Sequence, residues 1–227
     1  MPEYFDPPPA SLVVMLDVDN TLVDNDRFAA DLRARLLANF GETECARYWA
    51  LYAQLRDELG YADYLSTLQR FRAGLEEHPA LLGMSEFLLE YPFDQALFPQ
   101  ALEALAHLRE HATTVILSDG DVVFQPRKIQ RSSIWQAVQG RVLIYVHKEK
   151  MLEAVQKHYP ARHYFMVDDK AGILANMKRL MGDSLTTIFV RQGHYAQGVQ
   201  QVDPLPDRTI DRIADLLQFN FQSTGSP

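Results

Sequence analysis

Two aspartates stand two residues apart just after a short apolar run: Leu12-Val-Val-Met-Leu16 leads into Asp17-Val-Asp19-Asn-Thr21-Leu22. The run reads as a buried strand of a parallel sheet. The carboxyl edge of such a sheet is where open α/β folds bind ligands, so carboxylates placed there call for a cation or a reaction. Asp-Val-Asp-Asn is also ordinary turn chemistry, because Asp and Asn bond to nearby backbone. The stretch alone leaves both readings open, and the rest of the chain has to decide.

Three further polar groups follow apolar runs. Ser118-Asp119-Gly120-Asp121 follows Thr113 to Leu117, His147-Lys148-Glu149-Lys150 follows Arg141 to Val146, and Asp168-Asp169 follows His163 to Val167. A hydroxyl beside a glycine-containing turn suits a phosphate, since the hydroxyl and free main-chain N–H groups donate to its oxygens. A lysine at a strand edge supplies a compact positive charge. Adjacent carboxylates raise each other's pKa unless a cation compensates them. Magnesium takes oxygen ligands and keeps several waters, so two or three protein contacts suffice to hold it.

These groups need a sheet to bring them together. Between about Asp24 and Pro92 there is no strand candidate. Phe28, Leu32, Leu36 and Leu37 repeat at helical spacing up to Gly41. Trp49, Tyr52, Ala53 and Leu59 end at Gly60, and Tyr64, Leu65, Leu68 and Phe71 stop at Gly74. Leu82, Phe87, Leu88 and Tyr91 make a fourth series after Pro79. The spacing predicts a small helical bundle inserted after the first strand. Beyond it, a helix from Pro99, strands at 113–117, 141–146, 163–167 and 185–190, and intervening helices complete an α/β pattern. Asp121 to Gln139 is expected to be helical with an irregularity at Pro126. Arg127, Lys128 and Arg131 are expected on a solvated face. Thr209 is expected to cap a last helix carrying Ile210, Ile213, Leu216 and Leu217.

In this order, the four groups resemble the motif set of the haloacid dehalogenase superfamily, whose first motif is Asp-x-Asp-x-Thr-(Leu or Val) after a hydrophobic strand. Asp17, Asp19, Thr21 and Leu22 match it in full. The resemblance implies a three-layer, Rossmann-like parallel α/β core over 11–24 and 95–220. A helical-bundle cap would occupy 25–94, with an extended lead-in at 1–10 and a flexible end at 221–227.

It also implies roles. Asp17 would be the nucleophile and a magnesium ligand, and Asp19 the general acid/base whose main-chain carbonyl faces the metal. Ser118, Lys148, Thr21 and Asp119 would surround the phosphate, although Asp119 stands where many relatives carry Asn and its charge would repel phosphate unless it turned away or met a cation. Lys150 rivals Lys148. Asp169 would be the direct metal ligand and Asp168 its partner, with the two roles exchangeable. The activity implied is hydrolysis of a small phosphorylated metabolite through an aspartyl-phosphate. The alternatives are a phosphomutase, a haloacid dehalogenase, or a catalytically idle phosphate- or metal-binding protein on the same fold. Arg191 and His194, beyond the fifth strand, are expected in a structural loop, and His147 is expected to be structural.

Composition narrows the field. The chain has 227 residues, 47% of them hydrophobic and 23% charged, which fits a folded globular protein rather than a disordered one. A net charge of −8 argues against nucleic acid, whose binding calls for a basic stripe. Cys45 is the only cysteine, so a disulfide within the chain and a cysteine metal cage are both excluded. That fits a reducing cytoplasm, the expected location. The start of the chain does not read as a secretory signal, and no apolar run approaches a membrane span. A monomer and a dimer are both compatible with the sequence.

Overall fold

The structure, a computed structural model, describes residues 10–197, 201–219 and 221. Six strands form one all-parallel sheet: β1 (Ala10–Leu16), β2 (Thr113–Asp119), β3 (Val142–Tyr145), β4 (Ala161–Asp168), β5 (Leu185–Val190) and β6 (Arg208–Ile210), in the order β3-β2-β1-β4-β5-β6. The first strand is central, and Val13 to Leu16 are fully buried, as expected of a strand covered on both faces. Helices α4 (Ala101–His111), α5 (Phe124–Arg131), α6 (Ile134–Ala137), α7 (Leu152–His158) and α8 (Ala171–Met181) connect the strands. Two buried apolar clusters lie on either side: Val14, Leu16, Ile116 and Phe165 belong to one, Val13, Met15, Val115 and Met166 to the other. The alternation of β1 between them is the period-2 signature of a strand with two buried faces.

The regular structure of the insertion is helical. A first helical stretch, Asn25–Leu59, is interrupted at Gly41, whose φ of 78° and ψ of 178° break it into two helices. We term the stretch α1; α2 (Tyr64–Phe71) and α3 (Leu81–Glu90) follow. Its entry and exit run side by side: the Asp24 N–H donates to Ala96 O at 2.7 Å and the Phe98 N–H to Leu22 O at 2.9 Å. Phe28 seats the insertion on the core, with its ring centroid 5.1 Å from Tyr64, 4.9 Å from Tyr91, 5.3 Å from Phe93 and 5.5 Å from Phe124. No helix among the described residues is long and apolar enough to cross a membrane.

The structure corrects the sequence reading in several places. The expected last helix is instead the three-residue strand β6, hydrogen-bonded to β5, followed by a 3-10 helix at Ile213–Gln218; β-branched Thr209 and Ile210 suit the pleat better than a cap. Pro126 sits in the first turn of α5, where its missing N–H is not needed; the break falls at Ser133, with φ 63°. Of the lead-in at 1–10 only Ala10 is described, and it begins β1. Of 221–227 only Phe221 is described, and its ring packs on Phe165 at 5.1 Å rather than trailing free.

Candidate active site

Sheet register assembles the site. Leu16 of β1 is level with Val167 of β4 and Ile116 of β2, and the Asp17 N–H continues the ladder to Val167 O at 3.0 Å. Asp17 therefore emerges beside Asp168 and Asp169 on one flank and near Ser118 on the other. The chain leaving β3 brings in Lys148, 1% exposed, with Nζ 2.5 Å from Asp17 Oδ1 and 2.7 Å from Asp168 Oδ2. Burial pulls the Lys148 ammonium toward deprotonation, but Asp168, Asp17 and Asp119 more than offset it and hold its pKa above the ordinary lysine value. Lys150 is exposed, so Lys148 is the lysine brought to Asp17.

The residues present fit a divalent cation. Asp17, Asp168 and Asp169 each offer an oxygen within 4.8 Å of the others. Oδ2 of Asp17 and both oxygens of Asp169 accept no hydrogen bond among the described residues, which is costly for buried carboxylates. Burial, then Asp168 and Asp17, pushes Asp169 up to about 9. Asp168 is raised too, by burial against the opposing pull of Lys148, and its Oδ1 accepts from the Lys170 N–H at 2.8 Å. Three carboxylates thus face the buried ammonium of Lys148, with Lys170 as a further nearby positive charge, and a hard cation with oxygen preference is what would balance the cluster.

Ser118 lies 1% exposed with Oγ 3.5 Å from Asp17 Oδ1, and it accepts from Gln125 Nε2 at 2.9 Å. Gly120 makes that approach possible: a Cβ there would stand 2.9 Å from the Gln125 Cβ. Asp121 accepts from the N–H groups of Val123 and Phe124 at the start of α5. Asp119, expected beside the phosphate, borders the cleft and also has a partner within the fold. Its Oδ1 accepts from the Lys148 N–H at 2.7 Å, so the carboxylate shapes the turn that delivers the lysine; burial, partly countered by Lys148, raises it to about 6. Thr21 is fully buried and its hydroxyl meets no partner among the described residues.

Asp19 opens onto a cleft of about 540 Å³ between the insertion and the sheet edge, lined on the insertion side by Trp49, Tyr52, Arg56 and Tyr61 and on the other by Glu149 and Lys170. Its Oδ1 lies 2.6 Å from Lys128 Nζ. Lys128 is 1% exposed, which overturns the expectation of a solvated basic face; Arg127 and Arg131 are half-buried and pair with Glu90 at the end of α3, where they also donate to the main-chain carbonyls of Leu89 and Tyr91. Helical spacing carried the signal, since Lys128 falls four residues after buried Phe124, while Arg127 and Arg131 share another face.

His147 and His194 also line the cleft. The His147 ring packs against Gly60, leaving no room for a Cβ there. The Nδ1 of His194 is 2.5 Å from Asp26 Oδ1, and the main-chain N–H of His194 donates to Asp26 Oδ2 at 2.7 Å. The loop expected to be structural therefore ties the first turn of α1 to the core. Arg191 is turned away, paired with Asp211.

No protein-family model matches the sequence, and no curated protein matches it. Solved structures do. A haloacid dehalogenase-like hydrolase of Burkholderia xenovorans LB400 is 54% identical, with a TM-score of 0.86 over 93% of this chain and 97% of that one. The HAD-hydrolase YfnB of Bacillus subtilis, bound to magnesium, is 18% identical with a TM-score of 0.60 over 92% and 97%. The L-2-haloacid dehalogenase of Xanthobacter autotrophicus, with chloropropionic acid covalently bound, is 17% identical with a TM-score of 0.61 over 91% and 96%. The last two share the fold; the first, at its identity and coverage, carries the family with it. Together with the motif order along the sheet edge, that likeness places the chain among the hydrolases of the haloacid dehalogenase superfamily.

Proposed function

We propose that the protein is a magnesium-dependent phosphatase acting on a small phosphorylated metabolite through an aspartyl-phosphate on Asp17. The observation that carries this reading is the pairing of a buried, pinned carboxylate with a second acid that reaches the cleft. The Asp17 side chain has Lys148 at 2.5 Å and is 5% exposed, whereas the Asp19 side chain is 27% exposed. A nucleophile needs a fixed position, and a proton carrier needs access to the leaving group and to water.

Asp17 would attack phosphorus, and Asp19 would hand its proton to the departing oxygen. Asp19 would then take a proton from the water that cleaves the aspartyl-phosphate and be ready for the next cycle. Lys148, Ser118 and nearby main-chain N–H groups would hold the non-bridging oxygens as charge spreads over them. Asp17, Asp169, the main-chain carbonyl of Asp19 and, through water, Asp168 would hold the cation. When bound, it would neutralise the acidic cluster and polarise the phosphoryl group.

The test is inorganic phosphate release from a panel of small phosphate esters, with magnesium, with a chelator, and with Asp17→Asn. The expected result is release that the chelator and the variant both abolish. Halide release from 2-haloacids, with no phosphate released from any ester, would replace this reading with dehalogenation.

A further inference from the structure

The ammonium of Lys128 is buried for no evident structural gain. It comes from α5, is 1% exposed, and sits against the rings of Phe124, Phe93 and Phe28 at 5.2, 5.6 and 6.0 Å from Nζ to centroid. Burying an ion pair gives little net stability, because desolvation consumes most of the attraction. Replacing a buried ion pair with apolar groups of similar volume is often neutral or stabilising. Aromatic faces do attract a cation, but they do not explain its two polar partners. Nζ lies 2.6 Å from Asp19 Oδ1 and 3.0 Å from Asn25 Oδ1. Asn25 is the first residue of α1, so one ammonium ties Asp19 of the core to the first turn of the insertion.

A partly exposed carboxylate with no fixed partner samples several rotamers, only some of which face a leaving group. Here Oδ1 is fixed by Lys128, and Oδ2 accepts the long 3.4 Å contact from Gln125 Nε2. We propose that Lys128 is a positioning residue that holds Asp19 for proton transfer, and that Asn25 makes this position depend on the seating of the insertion. The proposal rests on the phosphatase reading, in which Asp19 carries the proton.

Phenyl phosphate and 4-nitrophenyl phosphate separate such a role from general support of the fold. The two esters are nearly the same size, but the phenoxide is more basic and needs the proton more. In Lys128→Met, kcat/KM for phenyl phosphate should fall about 100-fold, the scale of a misplaced acid, and by about 10-fold or less for the nitrophenyl ester. In an Asp19→Asn background the same substitution should cost less than about 3-fold, because residues acting as one unit are not additive. Asn25→Ala should shift the ester ratio in the same direction by a few-fold, and it decides the matter if Lys128→Met does not fold. Equal losses on both esters, a full loss in the Asp19→Asn background, or an unchanged ratio in these variants would overturn the positioning role while leaving the phosphatase reading intact. A wild-type protein that releases no phosphate from either ester would overturn both.

Discussion

Replacing Lys148 with Met keeps the unbranched stem, one atom shorter, and removes its charge, leaving Asp17 and Asp168 without the ammonium between them. Nζ stands 2.5 and 2.7 Å from two carboxylates whose side chains are 5% and 0% exposed, so water cannot take its place without rearrangement. Breaking a buried pair from one side costs about 3–5 kcal/mol. The protein has one way to limit the loss, which is to protonate a carboxylate. For a group of ordinary pKa near 4, that costs about 4 kcal/mol at pH 7, at about 1.36 kcal/mol per pH unit, so the two routes agree in scale. In chelator, Lys148→Met should therefore lose about 3–5 kcal/mol at pH 7 but only about 1–2 kcal/mol at pH 5, where the proton is nearly free. Saturating magnesium should restore part of the loss. Urea unfolding followed by the fluorescence of Trp49 and Trp135 measures it. Wild-type stability at pH 7 in chelator, or a loss that does not depend on pH, would refute the claim that Lys148 is the counterion of the cluster.

Asp169 gives a pH test of the opposite kind. Its folded pKa is raised to about 9, so between about pH 4 and pH 9 the folded, metal-free protein binds a proton that the unfolded chain has released. Its contribution is full below the unfolded value and is lost as pH rises through the folded one. Wild-type stability in chelator should thus fall relative to Asp169→Asn by up to about 1.4 kcal/mol per pH unit across that window; parallel curves for the two proteins would contradict the assignment. Gly193 has φ +68°, and a Cβ there would stand 2.5 Å from the Asn20 side chain, whose Oδ1 accepts from the Asn25 and Asp26 N–H groups. Gly193→Ala should cost about 2–4 kcal/mol, more than the roughly 1–2 kcal/mol of the left-handed backbone alone. Gly140→Ala, at φ +75° with a roomier Cβ site, supplies that baseline, and equal shifts in thermal midpoint for the two would show that the clash with Asn20 is relieved freely.

The fold and the central acids were legible because both faces of the sheet are buried. Each strand is then a short apolar run, and whatever polar residues follow it must lie at the same edge. That rule placed Asp17, Ser118, Lys148 and Asp168 at one edge, while the order of the motifs, through the family resemblance, singled them out from the turn readings and from Lys150. The rule says nothing about a side chain that reaches the edge from the body of a helix. Lys128 and Gln125 do so from α5, among arginines that suggested a solvated face, and only the four-residue step from Phe124 pointed inward. The second partner of Asp119 was out of sight for a related reason. Its place in the motif was plain, but its side chain answers to the Lys148 N–H, a contact across 29 positions of sequence. The final strand was missed because three residues are too few to show a period.

The two acids of the first motif are two residues apart, yet each has its own buried lysine, Lys148 on Asp17 and Lys128 on Asp19. This division bears on which superfamily reaction the chain performs. A halide leaves as a stable anion and asks nothing of a proton donor, so in a dehalogenase a second carboxylate would serve only the water that hydrolyses the ester intermediate. An alkoxide leaving a phosphate ester does need a proton, and the hydrolysis that follows returns one, so a single carboxylate must serve twice and keep its place between steps. Under the proposed phosphatase reading, Asp19, held at Oδ1 from behind while its side chain stays 27% exposed, would serve both steps. Burying a charged lysine among phenylalanines to fix it is understandable if the position of Asp19 limits turnover, and hard to account for if Asp19 only shapes a turn.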